Sequence, residues 1–163
     1  MKRFFVVSMV LMLTLSTFLA TGSVSTAAAK ESKIMEFDTM VGVPQALTGS
    51  ANPIRDINGG GLPWRISAAE GELKANGKLE IKVKGLVLDA GPNAGSNPIA
   101  NFRAIVSCLD SNGAVQNVTT DQFPATTGGN AKIETNVSLP QPCIAPIIFV
   151  TSPGGAWFAA TGS

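Results

Sequence analysis

The sequence predicts an all-β fold, an antiparallel β-sandwich of immunoglobulin-like architecture with about eight or nine short strands. Three observations predict it. Polar and apolar residues alternate at period two over Lys78–Lys84 and again over 131–139. Gly, Pro, Asn and Asp punctuate the chain at intervals too short for the helical crossovers of a parallel sheet. No stretch repeats the apolar i, i+3, i+4, i+7 spacing over three turns. A small closed β-barrel is the alternative arrangement of the same strands.

At the N-terminus, Met1-Lys2-Arg3 is positive, residues 4–20 are mainly apolar, and Ala27-Ala28-Ala29 precedes Lys30-Glu31. That order is a secretory signal peptide cut after Ala29. The rival is a membrane anchor, for which the 17-residue apolar stretch is shorter than the roughly 20 residues a spanning helix needs. The expected product is one domain over 30–163, secreted or held in the cell envelope, with no membrane span after cleavage.

Within that domain, 35–43 is expected as the first strand and 45–62, rich in Gly, Pro and Asn, as a surface loop. A strand at 64–68 follows. Segment 71–75 then pairs with Lys78–Lys84 through Asn76-Gly77, because Asn-Gly supplies the positive φ angles of a tight hairpin. After a second surface loop at 89–98, strand 102–109 is joined to 114–119 by a hairpin around Ser111-Asn112-Gly113. Segment 131–139 places Ile133, Val137 and Leu139 on one face. The continuous apolar run at 147–150 reads as a strand covered on both faces, and 156–160 closes the domain.

Composition removes several chemistries. The 163 residues contain no histidine, which excludes Ser-His-Asp and Cys-His catalysis and histidine-ligated metals. Two cysteines are too few for a four-thiolate zinc site or an iron–sulfur cluster. The net charge of +1 argues against nucleic acid as a partner. Lys2 and Arg3 leave with the leader, so 10 basic residues face 11 acidic ones and the mature charge is −1. No cofactor and no metal are expected.

Cys108 and Cys143 are the one cysteine pair, and in an oxidising compartment an even pair forms a disulfide. A redox-active role would call for Cys-x-x-Cys or a basic neighbour, and neither is visible. Carboxylates remain for acid–base work: Glu70 with Glu72, and Glu36 with Asp38, each share a strand face. Solvated surface is the competing reading. Asp110-Ser111-Asn112-Gly113 opens like a calcium loop, but Ala114 stands where a ligand is required. Asp89, Asn93 and Asn97 offer further oxygens that turn chemistry explains equally well. No Ser-x-x-Lys, Gly-x-Ser-x-Gly or phosphate-loop signature occurs in the mature chain. Lys74, Lys78, Lys82 and Lys84 mark a basic strand face, suited to solvent or to an anionic envelope polymer. Trp64 and Trp157 each follow a glycine-rich entry to a strand. They are either core residues or a platform for stacking a ligand. Asn117-Val118-Thr119 and Asn136-Val137-Ser138 match the glycosylation sequon.

Three runs, Asn52-Pro53-Ile54-Arg55 with Gly59-Gly60-Gly61-Leu62-Pro63-Trp64, then Pro142-Cys143-Ile144-Ala145-Pro146, then Val150-Thr151-Ser152-Pro153-Gly154-Gly155-Ala156-Trp157-Phe158, resemble a group of bacterial secreted single-domain proteins of unknown function. The resemblance spans most of the mature chain. It implies a free-standing exported domain of bacterial source and transfers no functional residue.

The expected function is a non-enzymatic extracellular binding or envelope-associated module with an unidentified partner. One alternative is a carbohydrate-binding or hydrolytic protein using the tryptophans as platform and the carboxylates for chemistry. The other is a structural extracellular component that assembles through edge strands.

Overall fold

The computed structural model describes residues 32–162; the leader expected at 1–29, with its expected cleavage after Ala29, lies outside them. Twelve strands are present among these residues: β1 (Lys33–Phe37), β2 (Val41–Gly42), β3 (Trp64–Arg65), β4 (Ala68–Lys74), β5 (Lys78–Lys84), β6 (Val87–Leu88), β7 (Asn101–Leu109), β8 (Val115–Thr119), β9 (Phe123–Pro124), β10 (Ala131–Asn136), β11 (Ile144–Thr151) and β12 (Trp157–Ala160). A four-stranded sheet in the order β1-β4-β5-β10 faces a larger sheet in the order β2-β12-β11-β7-β8, with β9 also on β7. A short β3-β6 pair stands beside them. The paired strands are antiparallel and the sheets do not close into a barrel, so the architecture is the expected β-sandwich.

Alternation sets the core. On β5, Leu79, Ile81 and Val83 are buried while Glu80, Lys82 and Lys84 face out. Their partners on β4 are Leu73, Gly71 and Ala69, and Ile133 of β10 sits opposite Ile81. Phe102, Ala104, Val106 and Cys108 of β7, with Ile148 and Val150 of β11, supply the other half of the core. Each such fully buried large side chain is stabilising by about 1.5–3 kcal/mol. The run at 147–150 lies between β7 and β12, with Ile148 and Val150 facing the core and Phe149 buried on the opposite face.

Both expected hairpins form. The loop between β4 and β5 has three residues, however, not two: Gly77 N–H donates to the Lys74 carbonyl at 2.9 Å, and Gly77 alone takes a positive φ, 88°. Asn76 instead caps the turn, its Oδ1 accepting the Lys78 N–H at 3.0 Å. A Cβ on Gly77 would also collide with the Val137 carbonyl oxygen. Gly77→Ala is therefore expected to lose at least about 1–2 kcal/mol, the cost of a left-handed L-residue, read as a lower urea midpoint. An unchanged midpoint would show that the loop re-forms without strain.

Three expectations need correction. The strand expected at 35–43 is two strands in different sheets: β1 pairs β4, and β2 pairs β12. Between them exposed Asp38 and Thr39 carry the chain across the sandwich edge before Met40 turns inward. The strand expected at 64–68 is likewise divided, β3 pairing β6 while β4 begins at Ala68. β6 and β9, two residues each, raise the strand number beyond eight or nine; pairs that short carry no periodicity.

The segment 45–62 is not a simple surface loop. Ile57, Gly59 and Gly60 are buried. Gly60 N–H donates to the Trp157 carbonyl (2.8 Å) and Trp157 N–H to that of Asn58 (2.9 Å), so the segment adds itself beside β12. A Cβ on Gly59 would collide with the Leu47 carbonyl oxygen, so the close approach demands glycine there. From β12 the segment crosses the outer face of the larger sheet to β8, where Asn117 Nδ2 donates to the Arg55 carbonyl at 2.9 Å. Beneath it lie Ile105, Ser107, Phe149, Thr151 and Trp157, all buried although they point away from the core. This strap makes a third layer over one sheet and leaves the four-stranded sheet bare. The second loop, 89–98, stays on the surface but is pinned by Asn97, whose side-chain amide donates to the Ile99 and Thr126 carbonyls.

Candidate functional site

The bare outer face of the four-stranded sheet concentrates the ionisable side chains. Register places Glu36, Glu72, Glu80 and Glu134 opposite one another across β1, β4, β5 and β10, a row of four carboxylates. Adjacent strands are about 4.8 Å apart, so the row would repel itself without compensation. Lysines on both flanks supply it. Lys33 Nζ lies 2.7 Å from Glu36 and 3.6 Å from Glu72, Lys74 lies 3.4 Å from Glu72, and Lys132 lies 2.6 Å from Glu134. Lys78 pairs Glu80, and Lys82 Nζ donates to Glu70 at 2.7 Å.

Glu36, Phe37, Asp38, Glu70, Gly71, Glu72, Glu80 and Lys82 line an open groove of about 610 Å³. Both carboxylate pairs singled out by sequence spacing therefore meet in one place. At Glu70 and at the neighbouring Glu80 the chemistry is that of fixed anions. The Lys82 hydrogen bond, aided by its charge, lowers the Glu70 pKa from its ordinary 4.5. The Lys78 hydrogen bond does the same to Glu80. A general acid needs the opposite displacement, a carboxyl kept protonated by burial or by a like charge.

The pH dependence follows from those directions. A depressed carboxylate pKa stabilises the fold fully above the ordinary 4.5, and that contribution is lost as pH falls through the lowered folded value. Raised pKa values at Lys78 and Lys82 act at the other end, present below 10.5 and lost as pH climbs through the folded value. Lys82→Ala is expected to return Glu70 toward 4.5, read by carboxyl carbon NMR titration. A Glu70 that titrates as before would dissolve the pair.

The tryptophan platform is corrected. Trp64 is 5% exposed, stacked on Phe158 at 3.9 Å between ring centres and meeting Phe102 edge-on at 6.4 Å. Trp157 is 2% exposed, edge-on to Phe149 at 6.0 Å under the strap. Neither ring offers a face to a ligand, because each closes an apolar layer and burial of that area outweighs exposure.

Cys108 and Cys143 are bonded, Cα atoms 4.9 Å apart, tying β7 to the segment entering β11. Asp110 is a turn-forming residue: its Oδ1 accepts the Asn112 and Ala114 N–H groups at 2.8 and 2.9 Å, and the backbone bonds, Ala114 first, lower its pKa. Asp89 pairs with Arg65 at 3.3 Å. Among the described residues no three His, Cys, Asp or Glu side chains are placed to hold a metal ion. Of the two sequon residues, Asn117 holds the strap and Asn136 is exposed at the end of β10.

Two features escaped the sequence. The parity of Glu36, Glu72, Glu80 and Glu134 within each strand was visible, but their shared row depends on registers that only tertiary pairing sets. Arg55, whose Nη2 donates to the Ala145 carbonyl at 3.1 Å, lies in a stretch read as loop; its partner is 90 residues away. No family model, no curated protein and no solved structure matches the chain.

Proposed function

We propose that the protein is an exported, disulfide-tied β-sandwich that works by binding, as an extracellular or envelope-associated module, and not as an enzyme. The supporting observation is the charge-ordered face of β1-β4-β5-β10, whose carboxylates are matched by lysines and, at Glu70 and Glu80, held ionised. Such a surface suits recognition through fixed charge, and a carboxyl whose pKa is lowered, as at Glu70 and Glu80, is a poor general acid. The disulfide suits an oxidising compartment, and no helix among the described residues is long and apolar enough to cross a membrane.

The test has two parts. Intact mass of the protein recovered outside the expressing cell is expected to show removal of residues 1–29 and two hydrogens fewer than the dithiol; retention of the leader would defeat export. The purified 30–163 chain is expected to co-sediment with envelope material in a salt-sensitive way and to turn over no glycan, ester or peptide substrate. Turnover abolished by Glu70→Gln would establish the second reading, a carbohydrate-active protein. One observation favours that reading: Glu36, Glu70 and Glu72 share the groove with Phe37.

A further inference from the structure

The three non-glycine residues with positive φ among those described, Arg55 (50°), Asp56 (64°) and Ala145 (46°), meet at one place on the outer face of the larger sheet. Arg55 and Asp56 form the tip of the strap, a two-residue turn closed by Ile54 N–H to the Ile57 carbonyl (3.1 Å) and Ile57 N–H to that of Ile54 (2.9 Å). Turns of that hand normally use Asn-Gly; Arg and Asp there are unfavourable and persist only where surrounding contacts hold them. The polar contacts are two. Asn117 on β8 donates to the Arg55 carbonyl, and the Arg55 guanidinium donates to the Ala145 carbonyl. Ala145 is itself held in a left-handed conformation, two residues from Cys143, in a stretch with prolines at 140, 142 and 146 and an irregular register against β7. The disulfide is the covalent tie between that stretch and β7.

We infer that the Cys108–Cys143 disulfide is the latch of the strap: while it is closed, Ala145 is held where Arg55 can grip it, and opening it releases the strap tip from the outer face of the larger sheet. The two sulfurs are unequally reachable. Cys108 is fully buried and Cys143 is partly exposed, so an external dithiol attacks Sγ of Cys143. Its thiolate bonds to Cys143, the protein S–S bond breaks and Cys108 leaves as a thiolate that takes a proton. The second thiol of the reagent then displaces Cys143, leaving two protein thiols and one reagent disulfide. With Ala145 no longer fixed, the strain at Arg55 and Asp56 favours release, which uncovers Ile105, Ser107 and Phe149 while the sandwich core stays packed. The strap remains attached at its other end through the backbone bonds of Asn58 and Gly60 with Trp157.

Hydrogen exchange of the full secreted chain, with and without dithiothreitol, tests this. The amides of Ile54 and Ile57 are expected to exchange at least about tenfold faster after reduction, within the shortest labelling times, while β5, β7 and β11 remain protected. Arg55→Ala, with the disulfide intact, is expected to expose the same amides and to remove their response to dithiothreitol. Strap amides as well protected after reduction as before would overturn the inference. So would an Arg55→Ala chain whose strap stays protected, or loss of protection in β7 and β11 on the same timescale as the strap.

Discussion

Truncation of Phe102 to alanine is expected to cost about 3–5 kcal/mol, the range for deleting a buried aromatic ring and leaving its space unfilled. Phe102 is 0% exposed and lies edge-on to both Trp64 and Phe158, at 6.4 and 5.9 Å. Those three rings join β3, β7 and β12, so the loss falls on elements far apart in sequence. The measurement is urea denaturation followed by tryptophan fluorescence. A lower midpoint with red-shifted native emission is expected as Trp64 loses its neighbour. A midpoint within experimental error of the parent would mean that the aromatic cluster does not hold the sheets together.

Replacing both Cys108 and Cys143 by alanine is expected to cost about 3–4 kcal/mol, the chain-entropy effect of opening a loop of this size. The cysteines are 35 residues apart, and the closed loop contains β8, β9 and β10, one strand or more from each large sheet. Alanine is the informative replacement because Cys108 is fully buried and serine would bury an unpaired hydroxyl there. The double variant is expected to fold, with a urea midpoint lowered in proportion and an unchanged slope. A stability equal to the parent's would show that strand pairing alone restrains this region. The effect should add to that of Phe102→Ala only where the two sites do not couple, and both lie on the inner face of β7.

Much of the fold was legible because its signals are local. Alternation at Lys78–Lys84 and at Ile133 announced strands and their buried faces correctly, since side-chain direction follows parity alone; the strand expected to 139 ends at Asn136, leaving Val137 buried and Leu139 half-buried beyond it. The hairpins at Asn76-Gly77 and around Ser111-Asn112-Gly113 were legible because turn chemistry acts over four or five residues. The pairing of Cys108 with Cys143 needed only arithmetic. What failed had a non-local cause. Nothing in residues 33–43 records that β1 and β2 join opposite sheets, because each is satisfied by a partner far along the chain. The strap was read as solvent-exposed from its Gly, Pro and Asn content. Those residues instead let its backbone approach Trp157 and Leu47 closely enough to bond and pack. The tryptophans illustrate the same limit, since a glycine-rich entry followed by an aromatic fits a platform and a core anchor equally well.

The candidate site divides along the same line. Glu36, Glu70, Glu72 and Glu80 were legible as outward carboxylates. Their assembly into one groove, with lysines paired to them, required two specific registers. Sequence by itself determined the strand class, the hairpins, the outward face of β5, the cysteine pair and the absence of imidazole chemistry. Each is a property of residue identity or of spacing within a few positions. Tertiary structure alone decided which sheet each strand entered, that the strap covers one sheet while the other stays bare, that both tryptophans are buried, and that four glutamates share a row. Those depend on contacts between residues tens of positions apart, and a one-residue slip of any one of these strands would turn that strand's outward charges into the core.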